Sequence, residues 1–165
     1  MNIKIPIIAC LLLSTINYTI AQESKSGLVW HTDIKKADEI SKKSGKPIFA
    51  FFTGSDWCGW CIRLQKDVFS KQTFIDWAKK NVVLLELDFP RKKQLPPDLA
   101  EQNMGLQQAL QVQGYPTVWL MYLQPEKGST KINISTLGSL GYPSGAVQGK
   151  EDAKFLEEAN TLLKK

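Results

Sequence analysis

Two cysteines three positions apart, Cys58 and Cys61, enclose Gly59-Trp60 and are the side chains in this sequence most suited to chemistry. Such a pair can hold a metal, supply a nucleophile, make a structural bridge or alternate between dithiol and disulfide. Structural zinc usually takes four Cys or His ligands, and after residue 21 the chain offers only His31 besides the pair. A Cys-His hydrolase requires His31 to reach Cys58, and nothing local places it there. A bridge between Cys58 and Cys61 closes so small a loop that it barely restrains the unfolded chain, so a purely structural staple is a poor use of it. Reversible thiol-disulfide exchange fits the pair best, and it needs neither metal nor cofactor.

The elements around the pair must position it. Residues 48–52, Ile-Phe-Ala-Phe-Phe, are continuously apolar between Pro47 and Gly54, the pattern of a strand buried on both faces. A helix is expected to begin at Ser55-Asp56, both good N-terminal caps, and to run through Cys58, Cys61 and Leu64 towards Val68. Residues three apart in a helix share a face, so the sulfurs can meet. The free amides and partial positive charge of a helix N-terminus favour a thiolate at Cys58. Cys61, a turn deeper, is the more shielded. Cys58 is therefore assigned as the attacking sulfur and Cys61 as the resolving one.

Elsewhere, residues 33–44 place Ile34, Ala37 and Ile40 on one side of a helix that stops at Gly45. Residues 28–30 read as a short strand or an apolar anchor after a polar, flexible stretch from Gln22 to Gly27. Helical patterns follow at 73–80 and 99–110, strands at 82–87, 117–123 and 131–134, a glycine-rich loop from Gly138 to Gly145, and a closing amphipathic helix at 151–163. A basic, proline-containing loop, 89–98, follows the strand at 82–87. Parallel strands with helical crossovers followed by a hairpin make an α/β fold, a central mixed sheet with helices on both faces.

The stretch Phe51-Phe52-Thr53-Gly54-Ser55-Asp56-Trp57-Cys58-Gly59-Trp60-Cys61 resembles the active-site segment of thioredoxins, and Gly114-Tyr115-Pro116-Thr117 resembles their second signature. The closest resemblance is to exported bacterial thioredoxin-like proteins of the Trp-Cys-Gly-x-Cys type, over residues 30–165. It implies a thioredoxin fold, a cis Tyr115-Pro116 bond facing the sulfurs, and a Tyr115 backbone free to pair with an extended substrate chain. Trp57, Trp60, Tyr115 and Pro116 would then contact substrate, with Trp57 equally open to a core role. Trp30, Trp77 and Trp119 are expected in the core. Two positions depart from the family. Phe52 stands where thioredoxins carry a buried aspartate that moves the proton of the second thiol. Glu86, on the strand at 82–87, is a candidate replacement if it points inward, because a half-buried carboxylate titrates nearer neutrality; alternation alone also allows it to point outward. Trp60 replaces the family's proline between the cysteines, a position that tunes redox poise.

The whole sequence of 165 residues is 43% hydrophobic and 22% charged, the composition of one soluble globular domain. Its net charge of +5 is spread over separated lysines, a pattern that argues against nucleic acid as a partner. Residues 1–21 carry Lys4, an apolar run and Thr19 and Ala21 before Gln22, which is the order of a cleavable signal peptide. Retention as an anchor, or lipidation at Cys10 in Ile7-Ile8-Ala9-Cys10, are the alternatives. Cleavage leaves residues 22–165 as the thioredoxin-like domain. It removes Lys4, taking +5 to +4, and leaves two of the three cysteines. The expected protein works in the periplasm on substrate proteins with disulfides, reducing them, and is recharged by an upstream membrane thiol-disulfide electron donor. A binding or chaperone-like module that uses the apolar rim of Trp57, Trp60 and Tyr115 without turnover is the other reading.

Overall fold

The computed structural model describes residues 22–23, 27–125 and 132–164. The expected leader, Cys10 and the turn tip at 126–128 lie outside them. In chain order the elements are β1 (Gln22–Glu23), β2 (Val29–His31), α1 (Ile34–Ser44), β3 (Ile48–Thr53), α2 (Gly59–Leu64), a π-helical stretch (Gln65–Phe69), α3 (Gln72–Asn81), β4 (Val83–Asp88), α4 (Pro97–Ala109), β5 (Thr117–Pro125), β6 (Ile132–Leu140) and α5 (Glu151–Leu163). The sheet order is β1-β2-β4-β3-β5-β6. β2, β4 and β3 are mutually parallel, whereas β5 runs antiparallel to β3, β6 to β5 and β1 to β2.

β3 is central and wholly buried, which explains its unbroken apolar run: each face packs under a helical layer. Phe49 and Phe51 point into a core shared with the cysteines, Phe69, Phe74 and Phe155 from the layer of α2, α3 and α5. Ala50 and Phe52 enter the opposite core with Ala37, Leu85, Leu87, Leu110 and Met121, beneath α1 and α4. Aromatic packing dominates the first core. Phe69 stacks on Phe74 with ring centroids 4.6 Å apart and meets Phe51 edge-on at 5.0 Å. Trp77 is buried in this core and Trp30 packs against it; Trp119 packs against the other.

Three local expectations change. Gln22-Glu23 is a strand paired with Val29 and Trp30, so this polar stretch is held by the backbone ladder that β2 offers. β6 extends through Gly138, which the glycine count had put in a loop; the register shift opposite Leu120/Met121 accommodates Gly138 at φ 149° inside the strand. The helix carrying the cysteines starts at Gly59 rather than at Ser55-Asp56, because both of those side chains are bound elsewhere, as described below.

Candidate active site

At the end of β3 the chain turns on Gly54, whose carbonyl accepts the amides of Trp57 at 3.2 Å and Cys58 at 2.8 Å. This turn makes Cys58 itself the N-cap of α2, with φ −84° and ψ 97°, and its Sγ accepts the Cys61 amide at 3.2 Å. α2 continues without a break into the π-helical stretch. Cys58 and Cys61 form a disulfide, S–S 2.11 Å with Cα atoms 5.3 Å apart. Cys58 is 6% exposed and Cys61 fully buried, so access from outside is to Cys58.

The turn is fastened to the loop after β4 by reciprocal contacts. Ser55 donates its amide and its hydroxyl to the two Asp88 carboxylate oxygens at 2.8 and 2.7 Å. Asp56 accepts the backbone amides of Arg91 at 3.0 Å and Lys92 at 2.7 Å, and these bonds hold its carboxyl below the usual carboxylate range. The Trp57 indole N–H donates to the Phe89 carbonyl at 2.7 Å, and the Arg91 guanidinium lies 3.8 Å over the Trp57 ring. Lys93 pairs with Asp88 at 3.0 Å. Gly54 is required beneath this ring: a Cβ there would stand 2.4 Å from Trp57 Cε2. The sequence reading missed this clasp. Its partners lie 32–36 positions apart, and the only local signal was an acid ending a strand before a basic, proline-containing loop.

Thr117 pairs with Phe52 in the β3–β5 ladder, so the residues just before Thr117 lie beside the β3 end from which the cysteine turn springs. The Tyr115-Pro116 bond is cis. Tyr115 stacks on Phe89 at 5.2 Å, meets Trp57 edge-on at 5.9 Å, and accepts a hydrogen bond from Gln107 at 2.9 Å. Burial raises its phenol pKa, against the Gln107 bond. A Cβ on Gly141 would come within 3.8 Å of the Pro116 carbonyl, which puts the loop after β6 against the proline. Trp60, 54% exposed, belongs to a different cluster. Its ring meets Tyr142 at 5.1 Å, and Arg63 lies 5.3 Å from both rings. Arg63 and the Tyr142 hydroxyl both donate to Asp67, at 3.1 and 2.7 Å. Trp57 and Tyr115 thus form one aromatic contact and Trp60 and Tyr142 another.

Glu86 is half-buried on β4 in register with Phe51. Strand alternation gives it the face of Leu84, whose side chain enters the core that holds both cysteines. Burial, and after it the nearby charge of Asp88, raises its pKa, with Lys93 opposing. Phe52 is fully buried in the opposite core. His31 ends β2, separated from β3 by β4, away from the cysteine turn; burial, then Lys36, lowers its pKa.

A thioredoxin-like domain model matches residues 34–130. The chain is similar to the disulfide bond reductase DsbH of Chlamydia pneumoniae, 33% identical over 120 residues that cover 72% of this chain and 70% of that protein. It is 26% identical over 165 residues to the thioredoxin-related protein DsbJ of the same organism, covering 98% of this chain and 45% of that longer relative. Among solved structures, a DsbH oxidoreductase aligns with a TM-score of 0.67 at 28% identity, over 83% of this chain and 85% of that one. A thioredoxin from Thermus thermophilus aligns with a TM-score of 0.54 at 17% identity, over 82% and 87%, a likeness of fold alone. By its sheet order, its Trp-Cys-Gly-x-Cys turn at a helix start and these matches, the chain belongs to the thioredoxin-like family.

Proposed function

We propose that this protein is a thiol-disulfide oxidoreductase that reduces disulfides of protein clients through Cys58 and Cys61. The observation that carries the reading is the paired sulfurs at the start of α2, with Cys58 at the cap and more accessible than Cys61. In the reduced protein the Cys58 thiolate attacks one client sulfur. The client S–S bond breaks, a Cys58–client bond forms, and the other client sulfur leaves as a thiolate. Cys61 then attacks Cys58 Sγ, closing the intramolecular disulfide and releasing the second client thiolate. Two electrons pass from the pair to the client. Glu86 is proposed to accept the Cys61 proton in the absence of a carboxylate at Phe52. Trp57, Trp60, Tyr115 and Pro116 are proposed to contact the client, whose extended chain pairs with the Tyr115 backbone.

The direction of electron flow follows the name of the relative DsbH, a disulfide bond reductase. The reading includes export to the periplasm with residues 1–21 removed as a signal peptide, and recharging by an upstream membrane dithiol donor. Among the described residues no helix is long and apolar enough to cross a membrane.

Reduction of insulin disulfides by the purified protein tests the activity. Cys58→Ser should abolish it, and Cys61→Ser should leave clients covalently held on Cys58, because only the accessible sulfur meets external disulfides. Client binding by Cys58→Ser together with no turnover in the wild type would replace the enzyme with a binding module. Alkylation in cells reads the resting state, which should be mainly the dithiol; a mainly oxidised pair would make the protein an oxidase.

A further inference from the structure

We propose that the groove running from Gly59 along the outer side of α2 binds the client chain beside its reacting cysteine, and that it selects clients carrying an apolar and then an acidic residue there. This rests on the exchange activity proposed above and names its substrate class. Gly59, Ile62, Arg63 and Lys66 stand at positions i, i+3, i+4 and i+7, one face of the helix. With Gln148 and Gly149 opposite, that face lines a groove of about 500 Å³. The groove is continuous with the reactive site, since Gly59 directly follows Cys58.

Its chemistry changes along its length. Near the cysteine the lining is Gly59 and the apolar Ile62, 52% exposed, while the Arg63 charge there is already taken by Asp67. Further along come the exposed lysines Lys66 and Lys71, neither of which makes a salt bridge among the described residues. The two acids of the groove do not meet that charge directly. Asp67 already accepts Arg63 and Tyr142, and Glu151 is only 8% exposed at the start of α5. At longer range, Lys66 and Lys71 act through space on Asp67 and Asp152. The part of the groove beside the cysteine is therefore apolar and the part at Lys66 and Lys71 cationic, which is the complement of an apolar-then-acidic segment. The eight steps along the chain from Cys58 to Lys66 span roughly 12 Å at helical rise, the reach of about four extended residues. The acidic residue thus belongs about four positions from the client cysteine.

The test is single-turnover exchange between the pre-reduced protein and disulfide-linked homodimers of three peptides. The peptides are identical except for Asp, Asn or Lys four residues from the cysteine. The pair supplies both electrons: Cys58 takes one peptide, the other leaves as a thiolate, and closure by Cys61 releases the first. Exposed ion pairs are worth about two- to fivefold each, so the Asp peptide should react roughly tenfold faster than the Lys peptide at low salt, a spread that narrows at about 0.5 M salt. The double reversal Lys66→Glu/Lys71→Glu should invert the order. Equal rates for the three peptides, or an unchanged order in the reversed variant, would overturn the groove while leaving exchange intact. No reaction with any peptide would count against the exchange activity itself, and this inference would fall with it.

Discussion

Glu86 is a carboxylic acid half-buried on a β-strand, and its environment disfavours charge through burial first and the neighbouring Asp88 second. A folded-state pKa raised above the unfolded value means that the native protein holds the proton more tightly. The associated stability is complete below the ordinary carboxylate pKa of about 4.3 and is lost as pH rises through the raised value. Glu86→Gln removes this dependence. The variant should therefore gain stability over the wild type as pH rises towards neutrality, and the two should converge below about pH 4. Urea unfolding at a series of pH values checks it, and a constant difference across the range would contradict the assignment. The same substitution separates the kinetic role: a proton acceptor for Cys61 would show as a changed pH profile for the resolution step, and a merely buried acid would leave that profile alone.

The clasp between the cysteine turn and the loop after β4 is a property of two elements rather than of any single residue. Asp88, 8% exposed, supplies both acceptors for Ser55 and the partner of Lys93, while Asp56 returns the favour to the Arg91 and Lys92 amides. Removing a buried charged acceptor leaves its donors unpaired at a cost of about 1–3 kcal/mol. Asp88→Ala should destabilise the protein by that amount. It should also speed amide exchange at Ser55 while leaving Ala50, in the middle of β3, protected. Unchanged exchange at Ser55 would show that the turn holds itself. The π-helical stretch works in a similar way on the other aromatic cluster. Its wide turn, closed by the Ser70 amide on the Gln65 carbonyl at 2.9 Å, contains Asp67, the acceptor shared by Arg63 and Tyr142.

At the scale of the molecule, the core beneath the cysteines is one aromatic assembly. Fully buried Phe49 lies within ring-contact range of Trp30, Phe69, Phe74, Trp77 and Phe155, with centroids 5.7–6.3 Å apart. It thereby ties β2, the π-helical stretch, α3 and α5 to the central strand. Phe49→Ala should cost about 3–5 kcal/mol, a large share of the roughly 5–15 kcal/mol that stabilises an ordinary domain. Chemical denaturation of the oxidised protein measures it, and a loss under about 1 kcal/mol would mean that the assembly repacks around the gap.

Read alone, the sequence determined whatever depends on neighbours in the chain. The unbroken apolar run of β3, the spacing of the cysteines after it, and the Gly45 stop of α1 are local patterns. The structure has β3 buried on both faces and α1 ending at Ser44, with Gly45 in the left-handed conformation as its C-cap. Only the tertiary structure decided where competing partners sent each polar group. Ser55 and Asp56 are good helix caps by composition, yet stronger partners arrive from β4 and its following loop, so Cys58 became the cap. Trp57, Trp60 and Tyr115 read as a single rim, but Tyr142, 82 positions beyond Trp60, and Phe89, 32 beyond Trp57, divide them into two clusters. The face given to Glu86 came from its register against Phe51, because a strand's alternation says which residues share a side and the sheet alone says which side faces the core.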